Sequence, residues 1–147
     1  MTAKQYLMQL KRIDTQLRQI EDEIQRLESE LTNTTIRSKE VDVMVSLPPD
    51  LMGDKIAMIV DLQQKYSRKW DRLIELRTKI ISQIQSMSNP IQMQILYKRY
   101  VEYKKWESLF KEIRTENPEY YYSDRQLFRI HGIALMEFAK FVSECQY

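Results

Sequence analysis

The sequence predicts an all-α fold, with a long antiparallel helical hairpin or coiled coil followed by a C-terminal helix-turn-helix domain. Three observations predict it. Only 2 of the 147 residues are glycine and 30% are charged, a composition that favours long helices over strands and turns. Apolar residues recur at helical spacing along most of the chain. Prolines at Pro48-Pro49 and at Asn89-Pro90 divide this pattern into three parts.

The first helix is predicted from Ala3 to about Thr34. Its apolar residues follow heptad steps of four and three, with acidic residues on both flanks. They are Ala3, Tyr6, Leu10, Ile13, Leu17, Ile20, Ile24, Leu27 and Leu31. Residues 32–50 break the pattern and are predicted to form an interhelical loop, with Asp50 as the cap of the next helix. Because an apolar stripe this narrow is normally buried, another helix is expected to cover it.

The second helix is predicted from Leu51 to Ser88. Its apolar face consists of Ile59, Leu62, Tyr66, Trp70, Leu73, Leu76, Ile80, Ile84 and Met87. Two helices of similar length joined by a loop favour an antiparallel hairpin, although a homodimeric coiled coil through the first helix fits the same pattern. We therefore predict residues 1–88 to be a hairpin used for dimerisation or partner docking, and residues 89–147 to be a separate domain.

The C-terminal part contains three helical patterns. Asn89 and Pro90 start the first, which is expected to end near Val101 to Tyr103. A second helix begins at about Lys104, and its apolar face consists of Trp106, Leu109, Phe110 and Ile113. Ser123 is predicted to cap a third helix that buries Leu127, Ile130 and Ala134. The last two helices have the arrangement of a helix-turn-helix, with the third lying in a DNA groove.

Burial of that apolar face leaves polar and basic residues on the opposite face of the last helix. Arginine suits guanine and phosphate, and the backbone amides at the start of a helix bind phosphate. The predicted DNA-binding residues are Ser123, Asp124, Arg125, Gln126, Phe128, Arg129 and His131. Gly132 lies on the same outward face. The formal net charge of +2 is small, so DNA binding requires that basic groups be placed locally.

The order of Asn89-Pro90, LYKRYVEYKKWESL and YSDRQLFRIHGIAL resembles the C-terminal region of phage-encoded, sigma-factor-like transcription regulators of Gram-positive bacteria. That resemblance implies a domain similar to sigma-factor region four, which binds double-stranded promoter DNA and works with host RNA polymerase in the bacterial cytoplasm. It further implies a late-gene activator. Two features differ from the family: the turn from Arg114 to Tyr122 is long and rich in tyrosine, and Phe128 and Ile133 are apolar.

Other classes of protein are less consistent with the sequence. There is no glycine-rich phosphate loop, and one histidine with one cysteine cannot form the usual zinc sets, so we predict no enzyme, no catalytic residue, no metal and no cofactor. No apolar stretch is long enough for a membrane helix. The alternatives to a DNA-binding regulator are a coiled-coil interaction module that binds a host protein and a packaging protein of the small-terminase kind.

Overall fold

A computed structural model of the protein describes residues 1–40 and 49–145. Within these ranges the regular structure is helical and contains no strand, which confirms the predicted all-α fold class. The helices are α1 (Ala3–Glu40), α2 (Pro49–Gln85), α3 (Pro90–Leu96), α4 (Trp106–Glu116) and α5 (Asp124–Cys145), and a π-helical segment (Tyr97–Val101) continues α3. None of the helices in the described ranges has the length and apolarity needed to cross a membrane.

The predicted loop at residues 32–50 is wrong at both ends. α1 continues to Glu40, six residues beyond Thr34. Threonine and asparagine cost only a few tenths of a kcal/mol in a helix, about 0.7 kcal/mol at most, and the Thr32 hydroxyl donates to the Glu28 carbonyl at 2.9 Å within the helix. α2 begins at Pro49, so Asp50 lies inside the helix instead of capping it. Residues 41–48, the rest of the predicted loop, lie outside the described residues.

Contacts divide the chain into two compact units, one of Met1–Asp14 with Glu75–Tyr147 and one of Thr15–Ile74. The predicted domain boundary at Ser88/Asn89 falls inside the first unit. The reason is that the beginning of α1 contacts the C-terminal helices. The Tyr6 ring lies 6.0 Å from the Phe138 ring of α5, and the Tyr103 hydroxyl donates to the Asp14 carboxylate.

In the first unit, two polar contacts join α1 to the end of α2. The Tyr6 hydroxyl donates to Gln83 Oε1 at 2.8 Å, and Arg77 Nε donates to Asp14 Oδ1 at 2.7 Å. Advancing along α1 from Tyr6 to Asp14 moves backwards along α2 from Gln83 to Arg77. These portions of the two helices are therefore antiparallel, as the hairpin hypothesis requires, while a hairpin along the full length stays a prediction.

In the second unit, the predicted α1 stripe is largely buried. Leu17, Ile20 and Leu27 are buried, as is Ile59 of α2. Leu62 was predicted on the same face of α2 but is exposed. The homodimer alternative stays a prediction.

One hydrophobic core joins α3, α4 and α5 in the first unit. Its buried members are Ile95, Leu109, Phe110, Ile113 and Leu127, surrounded by Ile91, Trp106, Tyr122 and Ile130. A buried lysine of the π-helical segment adds an ionic link to α4, because Lys98 Nζ donates to Glu112 at 2.9 Å and to Glu116 at 3.1 Å. This core determines which face of α5 is left for a partner.

Candidate nucleic-acid interface

The start of α5 is fixed by a reciprocal capping box. The Ser123 Oγ accepts from the Gln126 backbone N–H at 3.2 Å, and Gln126 Oε1 accepts from the Ser123 backbone N–H at 2.9 Å. The structure thus confirms Ser123 as the cap. It also gives Gln126, predicted only as a DNA contact, a structural role that the S-x-x-Q spacing signals in the sequence.

The turn before α5 is held by Arg114. Its Nε donates to the Tyr122 carbonyl at 2.7 Å, and its guanidinium pairs with the Asp124 carboxylate. Asp124 was predicted to face DNA, where a carboxylate would repel phosphate. The ion pair with Arg114 offsets that charge. It also helps to hold the turn before α5 in place.

The long turn is shorter in the structure than in the prediction. α4 continues to Glu116, so the turn comprises residues 117–123 instead of 114–122. Asn117 ends the helix, because both its backbone N–H and its Nδ2 donate to the Ile113 carbonyl, at 3.0 and 2.9 Å. The side chains of Tyr120 and Tyr121 are exposed, so their rings are accessible at the surface beside the start of α5.

An aromatic cluster lies beneath one edge of α5. It consists of Tyr100, Trp106, Phe110, Phe128 and His131. The Phe128 ring lies 5.2 Å from Trp106 and 4.8 Å from Phe110, measured between ring centroids, yet 48% of its surface is exposed. Phe128 was predicted to point away from the supporting core. This is wrong for about half of the ring, which packs edge-to-face on Phe110 and at a tilt on Trp106.

His131 is a member of the aromatic cluster and not a cation at neutral pH. Its Nε2 shares a hydrogen bond with the Tyr100 hydroxyl at 3.0 Å, and its ring lies 4.6 Å from Trp106. Burial, together with the positive charges of Lys4 and Arg99, lowers the pKa of His131 from 6.5 to about 4. If His131 contacts DNA as predicted, it does so at neutral pH as a neutral imidazole and not as a cation.

We expect the stability of the protein to fall as the pH is lowered from about 6.5 towards 4. In this window the unfolded chain protonates His131, whereas the folded chain keeps the ring neutral, so the proton favours unfolding. The measurement is the urea unfolding free energy at pH 7.0, 6.5, 6.0 and 5.5, above the usual carboxylate pKa values near 4. A His131→Gln variant should lose most of this pH dependence. An unchanged dependence in the variant would contradict the prediction.

The outward face of α5 carries Arg125, Arg129, Gly132, Ile133 and Met136, which recur at intervals of one helical turn. Both arginines are exposed, and neither has a carboxylate partner anywhere in the described part of the chain. The side chain of Ile133 is 42% exposed and that of Met136 is 64% exposed. The structure thus brings Arg125 and Arg129 together on one surface and places Phe128 and His131 at its edge.

Arg99 is a residue near this surface that the site prediction missed. Its guanidinium stacks on the Trp106 ring at 4.4 Å and donates to the Lys104 carbonyl at 2.9 Å. The contact depends on a turn in which Tyr103 has φ 57°, a left-handed conformation that tyrosine rarely adopts. Because no turn-forming residue marks that position, the sequence contains no signal for it.

Comparison of the chain with models of protein families, with curated proteins and with solved structures found no match.

Proposed function

We propose that the protein is a transcription regulator that binds double-stranded DNA in a sequence-specific manner through α5. The observation that carries the proposal is the pair of exposed arginines, Arg125 and Arg129, just after a capped helix start. The proposal extends to a phage late-gene activator that acts with host RNA polymerase. This extension rests on the resemblance of residues 89–135 to sigma-like regulators.

The chemistry of the outward face suits a major groove. Residues four apart lie on the same side of a helix, so Arg125 and Arg129 can reach the same groove. Each guanidinium can donate two hydrogen bonds to guanine O6 and N7, or to a phosphate. The backbone N–H groups of the first turn favour an anion, because the helix dipole is positive there. The core of α3, α4 and α5 fixes the direction of this face.

Gly132 is evidence that a partner approaches the backbone of α5 closely. A Cβ atom built on Gly132 would meet nothing within 4 Å, so the fold itself leaves room for a side chain. A glycine inside a helix costs about 1 kcal/mol relative to alanine. Gly53 has the same open space, so it is the position of Gly132 on the outward face of α5, next to Arg129 and Ile133, that favours close approach by a partner such as the wall of a DNA groove.

A Gly132→Ala variant is therefore expected to be more stable and to bind DNA less well. The free energy of unfolding should rise by about 0.5 to 1 kcal/mol, as measured by urea denaturation. Affinity for the selected DNA site should fall in a titration followed by fluorescence anisotropy. Gly53→Ala on α2, which also meets nothing within 4 Å, is the matched control and should leave DNA affinity unchanged. Unchanged DNA affinity in Gly132→Ala would remove this support.

The second candidate function is an interaction module that binds a host protein. The exposed apolar side chains of Ile133 and Met136 favour it, since apolar groups enriched at the centre of a surface suit a protein partner. This candidate predicts retention of a host protein that is lost in an Ile133→Ser, Met136→Ser variant. It also predicts that the two arginines are dispensable for that complex.

Selection from a library of random DNA duplexes tests the first candidate directly. The wild-type chain should enrich one sequence motif over several rounds, and footprinting should then protect that motif. A matched variant that lacks both arginines should enrich no motif. If the wild type enriches none at low or at physiological salt, the DNA-binding proposal is wrong.

A further inference from the structure

A basic pocket of about 220 Å³ lies beside the aromatic cluster in the first unit. Its cations are Lys4 and Lys11 of α1 and Arg99 of the π-helical segment, and Tyr100 and Trp106 form aromatic walls. Among the residues that the structure describes, no acidic side chain lines it. The pocket adjoins α5, because the Trp106 ring on its wall lies 5.2 Å from Phe128 and 4.6 Å from His131.

Three carboxylates that are close to the pocket residues in the chain, Asp14, Glu102 and Glu112, already have partners. Asp14 accepts from Arg77 and from the Tyr103 hydroxyl. Glu102 pairs with Lys104 at 2.9 Å, and Glu112 pairs with Lys98 and Lys104. Lys4 and Arg99, by contrast, have no ion pair with any residue that the structure describes. The charges of Lys4 and Arg99 are therefore not offset by these three acids.

The ionisation of His131 reports the same positive potential. The charges of Lys4 and Arg99 both contribute to the lowered pKa of its ring, after burial. The field of these two cations therefore reaches the side of α5 that faces the pocket. An anion placed between Lys4 and Arg99 would be attracted by the same two charges that disfavour the imidazolium.

We propose that this pocket binds a phosphate ester, and that its occupant is a backbone phosphate of the DNA duplex whose groove receives α5. Lys4 would contact phosphate oxygens, and Arg99, whose plane is fixed on Trp106, would donate to the same group. The inference rests on the proposed function. It adds the first helix of the chain to the DNA interface, where its role is to fix the position of the protein on the duplex.

The test uses the full chain with a Lys4→Gln variant and a Lys79→Gln control. Lys4 and Lys79 are both exposed, and each substitution removes one positive charge from a helix surface. Binding to a random-sequence duplex is measured at several salt concentrations. Each phosphate contact contributes about 0.9 to the slope of log K against log salt, so Lys4→Gln should reduce that slope by about 1, and Lys79→Gln should not. Preference for the selected motif over random DNA should be unchanged.

If Lys4→Gln binds DNA with the wild-type affinity and the wild-type salt slope, the phosphate site is overturned. The proposed function then still stands. If the wild type binds no duplex, the proposed function fails, and inorganic pyrophosphate is titrated against Trp106 fluorescence in a Trp70→Phe background. Saturation that is lost in Lys4→Gln would support a phosphate site for a free ligand and overturn the DNA backbone as its source. No saturation would overturn the site altogether.

Discussion

The Arg125→Ala, Arg129→Ala double variant is expected to lose sequence-specific DNA binding while remaining folded. Both side chains are exposed, and neither has a carboxylate partner in the described ranges, so their removal breaks no ion pair among the residues that the structure describes. Alanine is also the strongest helix former. Each bidentate arginine contact with a base is worth about 1 to 3 kcal/mol, so affinity for the selected site should fall by roughly 30-fold to 10⁴-fold.

The matched control for this variant is Arg68→Ala, Arg72→Ala on α2. These two arginines have the same spacing of four residues and are also exposed, so the change in charge and helix propensity is the same. Anisotropy titrations over several salt concentrations should show unchanged DNA binding in the control. If Arg125 and Arg129 contact phosphates instead of bases, the loss will be equal on random DNA and the salt slope will fall by about 2. Retained affinity and slope in the double variant would remove α5 from the DNA interface.

Local patterns were sufficient to predict most helices and the cap of α5. The heptad spacing from Leu10 to Leu27 corresponds to residues that are buried or half-buried, because a period of 3.5 places them on one side of a helix. Ser123 before Asp124 indicated the start of α5, and a capping hydrogen bond to Gln126 occurs there. Such signals involve residues within one or two helical turns, so they need no knowledge of tertiary structure.

Features that depend on distant residues could not be predicted in this way. Tyr6 and Phe138 are separated by more than a hundred residues, and their contact places the beginning of α1 in the same unit as α5. His131 is adjacent to an apolar stripe in sequence, but its neutral state follows from burial and from Lys4 and Arg99. The spacing of apolar residues predicts which face of a helix is buried, but not which element covers that face. The basic pocket and the aromatic cluster therefore could not be predicted from the sequence.

Two neighbouring residues, Leu127 and Phe128, allow the role of supporting α5 to be separated from the role of contacting DNA. Leu127 is fully buried in the core of α3, α4 and α5, so Leu127→Ala should lower the free energy of unfolding by about 2 to 5 kcal/mol, measured by urea denaturation. Phe128→Ala should cost less, although phenylalanine is larger, because about half of its ring surface is already exposed. A larger cost at Phe128 would contradict the assignment of Leu127 as the anchor of α5.

DNA binding by the folded Phe128→Ala protein then separates two roles of the ring. If the ring only supports α5 from the aromatic cluster, affinity will fall by the same factor on every DNA sequence, because the position of the whole helix is changed. If the exposed half of the ring contacts the thymine methyl group of a base pair, affinity will fall selectively on sites that contain that base. The first outcome would mean that the aromatic cluster positions α5 and, with it, the two arginines. The second would mean that Phe128 belongs to the DNA interface.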